Sequence, residues 1–207
     1  MDKFVVSITR TCGSGGTSIA TLVANDLNIK VYDKELLKLA SYDSGINQRL
    51  FAQVDEDTKK SLLYKVSKKV YNGELIPPES NDFTSNDNLF NYQAKVLKEL
   101  AKQSSYIVIG RGADYVFRDK KNVIKVYIYA SEIDCINREM KRLGINIKEA
   151  TELVKKTNIY RTLYYRYHTG RKWKDVENYD LSLNTSRFSY EECAEIIKRY
   201  IEFIQER

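Results

Sequence analysis

At 207 residues the chain is long enough to bury the apolar core of one domain. Cys12, Cys135 and Cys193 are too few and too far apart for a disulfide framework or a zinc site. No apolar run reaches membrane-spanning length and the N-terminus lacks a signal peptide's basic and apolar segments, so a cytoplasmic protein without membrane partners is expected. The net charge of +6 suits a protein that handles polyanions. Specific nucleic-acid binding finds no support, because Lys59, Lys60, Lys68 and Lys69 read as solvated helix faces, the tyrosines are scattered and no nucleic-acid motif is present.

The first element is a short apolar strand, Phe4-Val-Val-Ser-Ile8, which runs into Thr9-Arg-Thr-Cys-Gly13-Ser-Gly-Gly-Thr-Ser18 and then into a helix predicted over residues 17–27. Gly13, Gly15 and Gly16 let consecutive N–H groups face an anion, and the helix start adds its own unpaired N–H groups and positive dipole end. Arg10, Gly13, Ser14, Gly15, Gly16, Thr17 and Ser18 are the candidate nucleotide-binding residues. The match to the phosphate-loop pattern G-x-x-x-x-G-K-[ST] is partial: Arg10 stands at the first glycine, Gly15 matches the second, Gly16 replaces the lysine and Thr17 fits the hydroxyl. A purely structural small-residue turn is the competing explanation.

A strand at Lys30 and Val31 leads into Tyr32-Asp33, and a helical pattern follows to about residue 70, with Leu36, Leu37 and Ala40 on one face and Leu62, Leu63 and Val66 on a later one. Asn-Gly and Pro-Pro pairs mark residues 71–87 as a long irregular connection. Leu89, Gln93, Val96, Leu97 and Leu100 outline the next helix, and the strand Tyr106-Ile-Val-Ile109 ends abruptly in Gly110-Arg-Gly112. Residues 123–129 read as another strand. Ser131 then caps a helix with Ile133, Ile136, Met140 and Leu143 expected inward. A basic, aromatic helical segment runs over residues 147–167, a last strand is predicted over 181–183, and Ser189 with Glu192 forms a capping box for the closing helix.

Strands separated by helices predict an α/β fold, a parallel sheet covered on both faces with its ligands at the C-terminal strand ends. The glycine loop, Asp33, Gly110-Arg111 and the segment after Leu183 all fall at such ends. An arginine between two glycines there is hard to explain as packing, whereas Asp33 has the competing role of a helix N-cap. His168, the only histidine, has no acidic or nucleophilic neighbour at a motif spacing and reads as a loop residue.

In their order and spacing, the glycine loop, Tyr32-Asp33-Lys-Glu35, Ile109-Gly-Arg-Gly-Ala-Asp114, Ala130-Ser-Glu-Ile133 with Arg138, and Tyr165-Arg-Tyr-His-Thr-Gly-Arg171 through Tyr179-Asp-Leu181 resemble the cytidylate kinase-like family of P-loop proteins. The resemblance covers nearly the whole chain. It implies a P-loop NTPase three-layer fold of the nucleoside monophosphate kinase kind, with a five-stranded parallel sheet. The core would comprise residues 1–32, 89–146 and 178–207, with a monophosphate-binding insertion at 33–88 and a lid at 147–177. The implied activity is ATP-dependent phosphoryl transfer, with Mg²⁺, to a small acceptor, most simply a nucleoside monophosphate such as CMP.

By the same resemblance Arg111 matches an arginine that binds the acceptor's phosphate, Asp33 and Asp180 match acidic positions at the nucleoside site, and Thr17 or Ser18 would hold the metal. Two family features are replaced, the loop lysine by Gly16 and an acidic residue by Ile109. Arg10, Arg111, Arg161, Arg166 and Arg171 are the cations available to compensate, and Arg111, Arg161, Arg166 and Arg171 are the catalytic candidates. The arginines favour an enzyme, and the altered loop favours a nucleotide-binding or sensor protein without transfer. Mutual repulsion within the basic segment predicts that residues 157–174 stand open and mobile until a nucleotide supplies negative charge.

Overall fold

The computed structural model describes residues 3–50 and 73–206. The expected helical face at Leu62, Leu63 and Val66, and Lys59, Lys60, Lys68 and Lys69, lie outside the described residues, as does the middle of the expected insertion. In chain order the elements are β1 (Val5–Arg10), α1 (Gly16–Leu27), β2 (Lys30–Tyr32), α2 (Glu35–Ser44), α3 (Asn86–Gln103), β3 (Tyr106–Ile109), α4 (Ala113–Val116), β4 (Val123–Tyr129), α5 (Glu132–Leu143), α6 (Ile147–Thr169), a 3₁₀ turn (Val176–Asn178), β5 (Leu181–Asn184) and α7 (Tyr190–Gln205).

The strands form one parallel sheet in the order β2-β3-β1-β4-β5. Alternation along β1 sends Val6 and Ile8 to one face, where Ile107, Ile109, Ile124, Val126 and Ile128 join them under α1 and α7. Val5 points to the other face, with Tyr106, Val108 and Val123, beneath Leu36, Leu37 and Ala40 of α2 and Leu89, Phe90 and Leu97 of α3. A sheet buried on both faces accounts for the apolar strands.

Local chemistry sets most boundaries. Ser85, Ser131 and Ser189 cap α3, α5 and α7 by accepting from the N–H three residues on, and α6 carries a full capping box from Asn146 and Glu149. The expected inward face of α5 holds in part: Ile136 is buried and Met140 packs beside it, whereas Ile133 and Leu143 are exposed, at 72% and 44%. Cys135 and Glu139 complete the side of α5 that meets α6, and Glu139 reaches the buried position through an ion pair with Arg142.

Candidate functional site

The C-terminal ends of β1, β2 and β3 open into a cavity of about 230 Å³ lined by Arg10, Asp33, Lys34, Arg111 and Arg161 and walled by Tyr160, Tyr164, Tyr165 and Trp173. The topology puts it there: β1 lies at the centre of the sheet, and the chain leaves β1 and β3 on adjacent strands toward opposite faces.

On one side of β1's end lies the glycine loop. Gly13 and Gly15 have φ of +77° and +80°, the left-handed region. The loop's carbonyls are held from behind. Thr185 Oγ1 donates to Ser14 O at 2.9 Å, and Arg138 Nη1 reaches Gly13 O at 3.4 Å while its guanidinium also donates to Thr185. The Cys12 N–H donates to Asn158 Oδ1 of α6 at 2.8 Å. The N–H groups of Gly13, Gly15, Gly16 and Thr17 have no acceptor among the described residues. Ser14 is not part of that open surface, because its buried hydroxyl donates to Thr11 O at 2.8 Å and Ile128 O at 3.1 Å. Thr17 and Ser18 are exposed at the helix start.

On the other side lies the turn after β3. Gly110, Arg111 and Gly112 are consecutive left-handed residues, with φ of +72°, +62° and +61°. For the two glycines this is inexpensive; for Arg111 it costs about 1–2 kcal/mol. Strain of that kind persists where the surroundings over-determine it, and here it points a half-buried arginine into the cavity.

Asp33 does not cap α2. The cap position is Lys34, without a side-chain bond, and Asp33 Oδ1 instead stands 4.0 Å from Arg10 Nη2. Arg161 comes from α6. Its Nη1 donates to the carbonyl of Arg10 at 3.0 Å, and no carboxylate of the described residues pairs with it. Enclosure pulls the guanidinium below its ordinary pKa, with Cys12, Asp33 and Glu139 pulling it back, and it remains charged.

The structure therefore brings Arg10, Asp33, Arg111 and Arg161 together and leaves three candidates outside. Arg166 is exposed and does not line the cavity. Arg171 stacks over Tyr115, 5.1 Å from the ring centre. Asp180 precedes β5, and its carboxylate accepts from Lys125 N at 2.7 Å, toward the N-terminal end of β4. That places it beside Arg118, Lys120 and Lys121, away from the strand ends where the cavity opens. Its expected place in the nucleoside site is corrected.

The basic segment is docked. Within it, α6 is a continuous helix of 23 residues that buries Ala150, Val154, Tyr164, Tyr165 and His168. Its charges do not converge, since Lys155 and Lys156 face Glu132 and Glu152 on the outside while Arg161 turns in. Nor is His168 a loop residue. It stacks on Phe90, ring centres 4.2 Å apart, and burial drives its pKa down to about 3, so it is neutral.

One buried group had no sequence signal as a partner of α6. Asp114, directly after the arginine turn, accepts from Tyr165 Oη at 2.5 Å, and burial pushes its pKa up to about 6 against that hydrogen bond. It fastens α6 to the turn. Thr185 was likewise legible only once the topology had placed it behind the loop, and Arg138, which the sequence offered only within the family motif, gains its contacts to Gly13 and Thr185 there.

Against known proteins, the model of the cytidylate kinase-like family matches residues 5–187. The chain is 22% identical over 204 residues to a cytidylate kinase of Pyrococcus horikoshii, covering 98% of this chain and 91% of that protein. It is 24% identical to a cytidylate kinase of Methanopyrus kandleri, covering 98% and 95%. Among solved structures, an uncharacterized protein from Eubacterium ventriosum aligns with a TM-score of 0.70 at 22% identity over 97% of this chain and 99% of that one. A shikimate kinase from Bacteroides thetaiotaomicron aligns at 0.51 and 14% identity over 96% and 98%. No helix among the described residues is long and apolar enough to cross a membrane. The fold is that of P-loop kinases, and the chain belongs to the cytidylate kinase-like family.

Proposed function

We propose that this protein transfers the terminal phosphoryl group of ATP to a small phosphate-bearing acceptor, most simply a nucleoside monophosphate such as CMP. One observation carries the reading: three arginines, Arg10, Arg111 and Arg161, line one cavity in which Asp33 is the only carboxylate among the described residues, and Arg10 leads directly into the loop of unpartnered N–H groups. Such an arrangement suits two anions brought end to end.

In the reaction an acceptor phosphate oxygen forms a bond to the γ-phosphorus as the bond to the bridging oxygen breaks, and ADP leaves with that electron pair. The acceptor oxygen is already ionised at neutral pH. No general base is required, which agrees with a neutral His168 stacked in the core. The glycine loop would hold the donor phosphates, Arg111 the acceptor's phosphate, and Arg161 the charge that develops between them. Tyr160, Tyr164 and Trp173 line the same cavity and would supply the aromatic surface on which a base could rest.

Mg²⁺, when bound, supplies charge neutralisation on the donor phosphates. A hydroxyl at Thr17 or Ser18, both exposed at the start of α1, would hold it together with phosphate oxygens.

The test is ADP release from Mg-ATP in the presence of a panel of nucleoside monophosphates. Acceptor-dependent ADP supports transfer, and CMP preference identifies the base. A second reading, nucleotide binding without transfer, rests on Gly16 in place of the loop lysine and Ile109 in place of an acidic residue. ATP binding by calorimetry with no acceptor-dependent ADP would favour it.

A further inference from the structure

Gly16 stands where a phosphate loop carries its lysine, and the backbone does not explain why it is glycine. It opens α1 and is not among the positive-φ glycines, so its conformation accepts any L-residue. The obstacle is a side chain. A Cβ at position 16 would lie 2.6 Å from Cβ and 2.9 Å from Cγ of Arg10, whereas the next nearest atom, in Ile8, is 3.7 Å away.

The other end of Arg10 meets a second glycine. A Cβ on Gly110 would lie 2.5 Å from Arg10 Nη1. Nη2 is 4.0 Å from Asp33 Oδ1, and the side chain is only 18% exposed. Arg10 therefore crosses from the glycine loop to the arginine turn, with its stem over Gly16 and its guanidinium beside Gly110, Asp33 and the cavity. Its own carbonyl receives Arg161.

We propose that Arg10 is a catalytic residue that contacts the transferred phosphoryl group from the end of β1, in place of a loop lysine, and that Gly16 is the clearance its stem requires. This rests on the phosphoryl-transfer reading. A planar guanidinium on a strand end grips two phosphate oxygens at once, where a lysine presents a single mobile charge. The exchange puts the cation nearer the acceptor turn than a residue on α1 would.

The experiment compares wild type with Arg10→Gln, Arg10→Ala, Gly16→Lys and the double variant Arg10→Ala/Gly16→Lys. Circular dichroism and thermal melting establish that each is folded. Arg10→Gln keeps most of the stem and the packing over Gly16. It is expected to lower kcat by about 100-fold with less than about a tenfold change in acceptor KM, the size of effect seen when one transition-state donor is removed. Gly16→Lys alone is expected to lower activity, because two stems then compete for one space. Adding Gly16→Lys to Arg10→Ala is expected to restore activity at least about tenfold over Arg10→Ala alone.

Turnover in Arg10→Gln equal to wild type overturns the inference, as does a double variant no more active than Arg10→Ala. Should wild type bind Mg-ATP but transfer to no acceptor, the transfer reading fails separately. Arg10 is then judged by affinity for Mg-ATP, where a fall of about tenfold in Arg10→Gln retains it as a phosphate contact and an unchanged affinity removes it.

Discussion

After β1 the chain turns through Gly13 and Gly15, and after β3 through Gly110-Arg111-Gly112, and the two turns use glycine for different reasons. At Gly13 the lack of a side chain is demanded by a neighbour's backbone: a Cβ there would lie 2.5 Å from the carbonyl oxygen and 2.8 Å from the Cα of Cys135. The loop is pressed against α5, its carbonyls are tied to Arg138 and Thr185, and its N–H groups are left facing out. At Gly112 the nearest atoms are ring carbons of Phe90 at 3.3 Å, and what the turn needs is three left-handed residues in a row. One turn presents backbone and the other presents an arginine. Glycine count alone does not reveal which kind of phosphate contact a turn makes.

The largest effect is expected at Gly13. In Gly13→Ala the methyl group meets backbone that cannot step aside, at a positive φ, and a loss of about 2–5 kcal/mol follows from the two penalties together. Urea unfolding measures it. A loss below about 1 kcal/mol would show that α5 yields and that the loop is not held as described.

Arg111→Gly separates the two turns in the opposite sense. It relieves the left-handed strain, so the melting temperature is expected to stay level or rise, while acceptor affinity falls by about tenfold or more. Acceptor titration and a melt on the same sample check both. A fall in stability with unchanged affinity would make Arg111 a structural residue.

A smaller, pH-dependent effect is expected beneath the cavity. His168 has its folded pKa lowered to about 3, so the unfolded chain binds its proton first as pH falls below about 6.5, and stability is lost on acidification between those values. Asp114, raised to about 6, acts oppositely: its contribution is greatest at low pH and declines as pH rises from about 4 to 6. The histidine shift is the larger, so acid destabilises on balance. His168→Phe, which keeps the stack on Phe90, is expected to melt at the wild-type temperature at pH 8 and above it at pH 5. Parallel pH profiles would remove His168 as the cause.

The smallest effect belongs to the far end of the sheet. Asp180→Ala removes the acceptor of the Lys125 N–H and is expected to cost about 1 kcal/mol while leaving kcat and KM unchanged. A large loss of turnover would contradict the placement of Asp180 outside the site.

Much of this architecture is local and was therefore legible. The strand-loop-helix opening, the capping box of Ser189 and Glu192, the helix over Asn86–Gln103 and the turn at Gly110 each follow from residues adjacent in the chain. The face of α5 is legible at Ile136 and Met140 but not at Ile133 and Leu143, because periodicity marks a stripe but not the neighbour that covers it, and a salt-bridged Glu139 takes a buried position there. The contacts of α6 were illegible for a related reason. Summed charge suggests repulsion, whereas helical geometry spreads those charges around the axis and brings Tyr164, Tyr165 and His168 to a buried face.

The sequence by itself determined the order of strands and helices, the glycine loop at the first strand end and the membership of a family, since hydrophobic period, caps and turn residues act over a few positions. Only the tertiary structure decided which charges form the site. Arg161 and Arg166 are five residues apart on one helix, about 140° around its axis, so the face on which α6 docks admits the first and excludes the second. Parallel register put Asp180 beside Lys125 and away from Arg111. The space above Gly16, filled by a side chain from the preceding strand, is a contact between residues that no local pattern relates.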